Sequence, residues 1–237
     1  MRLERLLVAV LVASALSSPK EVIAEDEAAI VGVVRYIGLS PKAEVVPVFK
    51  HRWYCGKEKI RERLIVSERG GLKNVLVSVE GVLGGKRVPP REAAVLDNRD
   101  CAFVPHVQAV VTGTILEIRN SDPILHSAHV YLPGGETLFN LALPVFKEKV
   151  QRPLPGPGLL KVVCDVGHTW QEAYILVSDH PYFAVTDEDG AFRIEGVPPG
   201  RYRVKAWHEV LGTLERSIVL SPKGRERVEL VFNGLQP

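Results

Sequence analysis

Methionine is almost absent from this sequence, which has 237 residues, three cysteines and the single methionine Met1. No site in the processed chain can therefore use a methionine sulfur. Aromatic residues are also few, at 7%. Neither sign of charge dominates, because 30 basic and 28 acidic residues leave a formal charge of +2 and no basic block that could follow a phosphate backbone. Nucleic acid is therefore not an expected partner.

Long apolar runs are missing as well. The longest, over residues 6–16, follows two arginines, contains small residues and is too short to cross a bilayer. This pattern is typical of an export signal, and cleavage after Ala15 or after Ala24 stays open. We predict a signal peptide over residues 1–24, no membrane span after its removal, and a mature protein in the periplasm or outside the cell. A buried N-terminal helix is the alternative.

Strand-like segments dominate the chain after residue 25. They are short, rich in β-branched residues and bounded by Gly, Pro, Asn or Asp. The clearest are Ile30–Tyr36, Val75–Glu80, Ile115–Arg119, Leu159–Val163, Tyr202–Ala206 and Val228–Phe232. One short helix is predicted near Lys57–Arg63. With 46% hydrophobic residues to form a core, the pattern predicts an all-β fold of sandwich or barrel type.

One thiol and two imidazoles form the most informative motif. Cys164 and His168 lie in the segment Cys-Asp-Val-Gly-His, and His126 precedes this cysteine by 38 residues. A thiolate with two imidazoles from a rigid β framework is the ligand set of a trigonal copper site, which can gain and lose an electron with little ligand movement. The triplet therefore predicts a mononuclear copper centre.

Residues 101–177 resemble the cupredoxins, and amicyanin and plastocyanin in particular. The resemblance rests on four motifs in the expected order: Cys101-Ala-Phe-Val-Pro105, Val111-Thr-Gly-Thr-Ile-Leu-Glu-Ile-Arg-Asn-Ser-Asp122, His126-Ser-Ala-His129 and Cys164-Asp-Val-Gly-His168. It implies a Greek-key β-sandwich with His126, Cys164 and His168 as equatorial copper ligands. It further implies one-electron exchange with a redox partner protein that the sequence does not identify.

Two departures from the cupredoxin pattern concern the metal site. Three residues separate the cysteine from the histidine, where family members commonly have two or four, and the usual axial methionine is missing. Gln171 is a candidate axial oxygen donor, and a backbone carbonyl, Glu172 or His106 are alternatives. The missing thioether predicts a lower redox potential. Trp170, next to the ligand loop, is expected to shield the metal, to form part of a docking patch or to be ordinary packing.

A second resemblance, to carboxypeptidase regulatory-like or transthyretin-like domains, concerns the rest of the chain. Residues 186–202 are similar to the second half of such a β-sandwich, with Asp-Gly and Pro-Gly turns, and residues 30–34 and 71–81 are similar to the first half. This implies a smaller, discontinuous sandwich over residues 25–91 and 180–237, interrupted by a cupredoxin-like domain over 92–179. Three small domains in series are the alternative.

Three cysteines leave one unpaired after a single disulfide. Cys55 and Cys101 can pair without consuming the proposed ligand and would then join the two modules. Pairing of Cys101 with Cys164 would remove the thiolate, and a metal site that uses both of these cysteines is a third possibility. Connectivity cannot be deduced from sequence, so these alternatives stay open.

The remaining histidines carry weaker expectations. His129 faces away from His126 if the strand between them continues, and it is kept as a possible additional ligand, as is His106. His208 is expected to hydrogen-bond within its sheet, and His51 and His180 are expected in loops.

Three classes of function follow from these patterns. The first is an exported copper protein that carries single electrons, and the second is a protein for copper sequestration or delivery. The third is a metal-free module for adhesion or carbohydrate binding. An enzyme is not expected, because we find no nucleophile elbow, phosphate loop or His-Glu-x-x-His motif, although zinc in a Cys-His-His set could support hydrolysis. The oligomeric state stays open.

Overall fold

The computed structural model describes residues 27–39, 42, 44–82, 92–145 and 149–234. The predicted signal peptide lies outside these ranges. Within them the chain is almost wholly β, with eighteen strands and one helix of four residues, so the predicted all-β fold is confirmed. No helix in the described part of the chain is long and apolar enough to cross a bilayer.

The strands are short and separated by turns that carry Gly, Asn or Asp. In chain order the elements are β1 (Ala28–Ile37), β2 (Glu44–Pro47), α1 (Arg52–Cys55), β3 (Glu58–Arg61), β4 (Leu76–Glu80), β5 (Ala94–Arg99), β6 (Ala102–Val104), β7 (Val107–Val111), β8 (Ile115–Asn120), β9 (His126–Tyr131), β10 (Thr137–Leu143), β11 (Val150–Pro153), β12 (Gly158–Val163), β13 (Glu172–Ser178), β14 (Phe183–Val185), β15 (Ala191–Val197), β16 (Gly200–His208), β17 (Gly212–Leu220) and β18 (Arg225–Asn233). All six strands predicted above are present.

Two sheets form a first sandwich from the beginning and the end of the chain. Their strand orders are β15-β1-β18 and β14-β4-β16-β17, and β1 runs parallel to β18. Alternation along β18 turns Val228, Leu230 and Phe232 inward, while Arg227 and Glu229 face solvent. These side chains join a core to which β1, β4, β15 and β16 also contribute.

A second sandwich contains the strands between residues 94 and 178. Its sheets have the orders β10-β9-β12-β13-β7 and β11-β8-β5-β6, with a separate core of aliphatic side chains such as Leu96, Ile118 and Val162. Strands before residue 81 thus pair with strands after residue 182. The segment that joins β13 to β14 contains the boundary predicted at residues 179–180, whereas residue 91, the other predicted boundary, lies outside the described residues.

A small hairpin lies against the second sandwich, near the start of β9. It comprises β2, α1 and β3, and we refer to residues 44–61 as the cap hairpin. Its side chains Val48 and Cys55 are buried against Ile124 and Trp170. The helix predicted near Lys57–Arg63 is wrong, because Glu58–Arg61 form strand β3, which is fixed by its pairing with β2.

Candidate metal centre

Three potential ligand atoms meet at one end of the second sandwich. His126 begins β9, Cys164 follows the last residue of β12, and His168 lies in the loop between β12 and β13. His168 Nδ1 is 3.1 Å from His126 Nδ1 and 3.6 Å from Cys164 Sγ, and the sulfur is 3.9 Å from His126 Nδ1. In the described part of the chain, these residues form the one group of three or more His, Cys, Asp or Glu side chains close enough to share a metal ion.

The ligand loop between β12 and β13 is shaped by its own backbone. Gln171 N donates to His168 O at 2.9 Å, and Cys164 N donates to Gln171 O at 3.3 Å, so the loop turns back on itself. Gly167 adopts a φ of +101°, in the left-handed region that favours glycine. This turn explains how three intervening residues bring the imidazole of His168 back to the sulfur.

The imidazole of His126 is oriented by Asp122. Its Nε2 lies 2.9 Å from Asp122 Oδ2, and both side chains are fully buried. The same carboxylate accepts hydrogen bonds from the Tyr54 hydroxyl and from the backbone N–H groups of Asp100 and Cys101. Because a carboxylate only accepts, we assign the proton of His126 to Nε2, which leaves the Nδ1 lone pair directed at the site.

The imidazole of His168 is held by two neighbours. Its Nε2 is 3.0 Å from Nδ1 of His51, a residue of the cap hairpin, and its ring packs against that of Trp170 with centroids 5.1 Å apart. The Trp170 indole N–H donates to Cys101 O at 2.8 Å. With the proton on Nε2, shared with His51, the Nδ1 lone pair of His168 also points into the site.

The remaining donors are the thiol and an amide oxygen. The Ser127 N–H donates to Cys164 Sγ at 3.4 Å, a contact that would also stabilise a thiolate. Gln171 Oε1 lies 3.1 Å from His126 Nδ1, while its amide nitrogen donates to Asn98 Oδ1 at 2.8 Å. The amide is thereby oriented with its oxygen towards the ligand cluster, as expected for an axial donor.

Burial keeps both imidazoles neutral. It lowers the pKa of His126, and it lowers the pKa of His168 to about 4, with further contributions from His126 and His51. Burial also raises the pKa of the Cys164 thiol, although the N–H of Ser127 opposes this change. At neutral pH two imidazole lone pairs and an amide oxygen therefore converge beside a thiol, whose S–H is a weak donor, and a cation would stabilise this arrangement.

The donor set fits a transition metal ion. A point in the plane of the two Nδ1 atoms and Sγ lies about 2 Å from each, close to the usual lengths of metal–imidazole and metal–thiolate bonds. Two histidines and one cysteine in a triangle, with a glutamine oxygen outside it, is the pattern of a blue-copper site. Zinc also accepts cysteine and histidine ligands, so the residues alone leave these two metals as candidates.

The cap hairpin contributes residues that the sequence did not indicate as functional. His51 contacts His168 and Tyr54 contacts Asp122, so the hairpin reaches the supports of both imidazoles. A disulfide between Cys55 and Cys101 joins it to the second sandwich, and Arg61 donates to Thr169 O in the ligand loop at 2.7 Å. Cys164 is free. Of the cysteine pairings considered above, the structure thus has Cys55 with Cys101, which leaves the proposed ligand Cys164 unpaired.

The other candidate histidines have different partners. His106 hydrogen-bonds Glu172 O and the carboxylate of Glu209, and His129 contacts Asp165 and Thr137 through its two ring nitrogens. Neither belongs to the cluster of three ligands. Their role as additional metal ligands, which the sequence left open, therefore has less support in the structure than the role of the three clustered residues.

His208 and His180 bond within a few residues of themselves. His208 is buried and accepts the N–H of Val210, and His180 lies in the connection between the sandwiches and bonds Ser178. The bond of His208 is to the turn after β16 and not within its sheet as expected, whereas His180 lies in a connecting segment, where a loop was expected.

Solved structures similar to this chain include a copper-containing nitrite reductase, a purple cupredoxin and an amicyanin variant. A copper-containing nitrite reductase from Thermus scotoductus is 22% identical, with a TM-score of 0.33, over 41% of this chain and 24% of the reductase. A purple cupredoxin from Nitrosopumilus maritimus is 21% identical, with a TM-score of 0.31, over 36% of this chain and 99% of the cupredoxin. A Cu(I) amicyanin variant is 15% identical, with a TM-score of 0.31, over 43% and 98%.

Other comparisons are less specific. Residues 157–226 match the family model of domain II of polysaccharide lyase family 4, which is less than half of this chain. No curated protein matches. At these identities and TM-scores the neighbours carry no argument about ligands or activity, and the transthyretin-like resemblance stays a prediction. The fold and the site define an all-β sandwich protein with a buried His-Cys-His cluster.

Proposed function

We propose that this chain is an exported copper protein that carries single electrons through a mononuclear site formed by His126, Cys164 and His168. The observation that carries this proposal is the convergence of Cys164 Sγ with the lone pairs of two neutral, fully buried imidazoles and of Gln171 Oε1. When bound, copper would gain and lose one electron between its Cu(I) and Cu(II) states.

The role of the protein is to hold these donors in one arrangement. Asp122 fixes His126, His51 and Trp170 fix His168, and Asn98 fixes the amide of Gln171. Because each donor is held by a second contact, the site changes little between the two charge states, which favours fast and reversible electron exchange.

Burial argues against a hydrolytic zinc site. Catalytic zinc centres use three protein ligands and keep a fourth position for water or substrate. Here the rings of His126 and His168 have no exposed surface, and Trp170 covers the second of them. An electron can reach such a site without a channel. A substrate that is to be hydrolysed would need a channel to the metal.

The setting of this activity follows from the cysteines and the N-terminal sequence. A disulfide between Cys55 and Cys101 is expected to persist in an oxidising compartment, which supports the predicted export. The carrier would then exchange electrons with a partner protein in the periplasm or outside the cell.

A copper titration of the mature chain tests the proposal. We expect one copper per chain and an intense visible band from thiolate-to-copper charge transfer, absent in Cys164→Ser and Cys164→Ala and retained in the control His129→Asn. Stopped-flow mixing with a one-electron reductant should bleach the band reversibly. A colourless, fully copper-loaded protein would refute the site. A preference for zinc over copper at equal concentrations of the two metals would refute the proposed role as an electron carrier.

A further inference from the structure

The edge of His168 that points away from the metal site does not reach the surface. The side chain is 0% exposed, and its Nε2 atom faces His51 of the cap hairpin at a distance of 3.0 Å. His51 is partly exposed. On this side, the contact between these two imidazoles therefore links the ligand cluster to a partly exposed residue.

The residues beside His51 form an unusual surface. Phe49 is 77% exposed and Trp53 is 72% exposed, and they lie two positions before and two positions after the histidine. Large exposed aromatic side chains grouped around one point are a common mark of a binding surface. We call Phe49, Lys50, His51, Arg52 and Trp53 the His51 face.

The charge of the His51 face is of one sign. Residues 47–57 include the exposed cations Lys50, Arg52 and Lys57 and no acidic residue, although the whole chain is nearly neutral. A patch of this kind attracts an acidic surface, and the attraction raises the rate of encounter more than the final affinity. An apolar centre with a basic surround thus suits a partner with the inverse arrangement.

We propose that the His51 face is where an acidic one-electron redox protein docks, and that His51 links it to the copper ligand His168. This inference rests on the proposed function. In the transfer the reduced partner loses one electron and the copper site gains it, and no covalent bond forms or breaks and no proton is transferred. His51 is a positioning residue here, since it acts through His168 and does not itself contact the metal.

Reduction kinetics with two small probes test the charged surround. We expect Lys50→Gln/Arg52→Gln to slow reduction by the anion iron(II)–EDTA about tenfold, without slowing reduction by the cation hexaammineruthenium(II). Raised salt should shrink the difference. The matched control, Arg225→Gln/Arg227→Gln in the first sandwich, removes the same charge. It should slow reduction by the anionic probe much less than tenfold and leave reduction by the cationic probe unchanged. Equal effects of both pairs would overturn the proposal.

The link through His51 has its own test. His51→Leu removes a support of His168, so this variant is first loaded to one copper per chain. In the loaded variant we expect reduction by both probes to slow, because an apolar side chain replaces the imidazole contact. The conservative His51→Gln should restore part of the rate by restoring a polar contact. Unchanged rates in His51→Leu, with the band intact, would refute the role of His51.

A third measurement does not depend on copper. The redox-inert anion hexacyanocobaltate(III), added to the metal-free protein, should shift the NMR signals of residues 49–53 and the indole signal of Trp53, but not that of Trp207. Shifts elsewhere would overturn the docking surface. So would binding to vesicles of equal parts phosphatidylglycerol and phosphatidylcholine through Trp53, which would indicate a membrane instead. If copper does not bind at all, the proposed function fails while this measurement still tests the surface.

Discussion

At the scale of single residues, the carboxylate of Asp122 is the most heavily used support of the site. It is buried and accepts from Tyr54, Asp100 and Cys101 as well as from His126. A buried charge is stable only when it is paired in this way. Asp122 therefore joins the cap hairpin, the strand connection that carries the disulfide, and the first imidazole ligand.

Asp122→Asn should weaken both folding and metal binding. One oxygen becomes an amide nitrogen, which cannot accept the two hydrogen bonds made there, so we expect a loss of about 3 kcal/mol in the free energy of unfolding. Copper affinity should fall by about 10- to 100-fold. Urea unfolding and competitive copper titration measure these changes. The control Asp187→Asn, in an exposed turn of the first sandwich, should change little, and equal losses in both variants would contradict this account.

Gln171→Leu tests the axial oxygen. Removing an oxygen donor destabilises Cu(II) more than Cu(I), so the redox potential should rise, as measured by voltammetry of the copper-loaded protein. Gln108→Leu removes an amide from β7, far along the chain from the ligand loop, and should leave the potential unchanged. A lowered or unchanged potential in Gln171→Leu would mean that this side chain is not a copper ligand.

At the scale of elements, the cap hairpin is the feature that distinguishes this site. It belongs to the chain segment between β1 and β4 of the first sandwich, yet it packs against the metal centre of the second. Its two strands are short and its helix has four residues, so local propensity gives it little stability. Its position therefore depends on its covalent and side-chain contacts.

The disulfide is the strongest of these contacts. Cys55 and Cys101 are separated by 46 residues, so closing this loop should contribute about 3 to 4 kcal/mol to stability. We expect Cys55→Ser/Cys101→Ser to lose about that amount in urea unfolding. Cys164→Ser, which keeps the disulfide, is the matched control in the metal-free protein. A double variant as stable as that control would show that the hairpin is held without its cross-link.

The elements that could be predicted from the sequence are those marked by a pattern of neighbouring residues. The strands follow from β-branched residues and turn residues, and the ligand triplet follows from its spacing. The contact of His51 with His168 spans 117 residues and has no local pattern, so it could not be predicted from the sequence. The strand at Glu58–Arg61 was missed because its charged residues suit a helix and only its pairing with β2 makes it a strand.

At the scale of the whole molecule, the two sandwiches share a boundary. Leu76, Val107 and Tyr174 are buried together there, and Glu209 of the first sandwich pairs with His106 of the second. Arg63 lies 3.3 Å from the same carboxylate. The metal centre is thus built on one sandwich but is covered by a hairpin from the part of the chain that forms the other.

Acid should destabilise the metal-free protein through its buried histidines. Burial lowers the pKa of His208 to about 4, from an ordinary value of 6.5, so the unfolded chain binds its proton first as the pH falls. The stability contributed by neutral His208 is complete above pH 6.5 and is lost progressively towards pH 4, by about 3 kcal/mol in total.

Urea unfolding of the metal-free protein between these pH values measures that loss. His208→Gln does not titrate and should flatten the pH dependence by a similar amount, although it starts from a lower stability. His180→Gln, which replaces a histidine in the connection between the sandwiches, is the control and should keep the slope. A slope that is the same in His208→Gln and in the unmodified chain would contradict the burial of a neutral imidazole at this position.

X-ray absorption at the copper edge of the loaded mature protein tests the central claim most directly, because it reports the atoms bound to the metal. We expect one sulfur and two imidazole nitrogens at bonding distance, about 2 Å from the ion. The sulfur should vanish in Cys164→Ser. A spectrum with only nitrogen and oxygen neighbours in the unmodified protein would contradict the account.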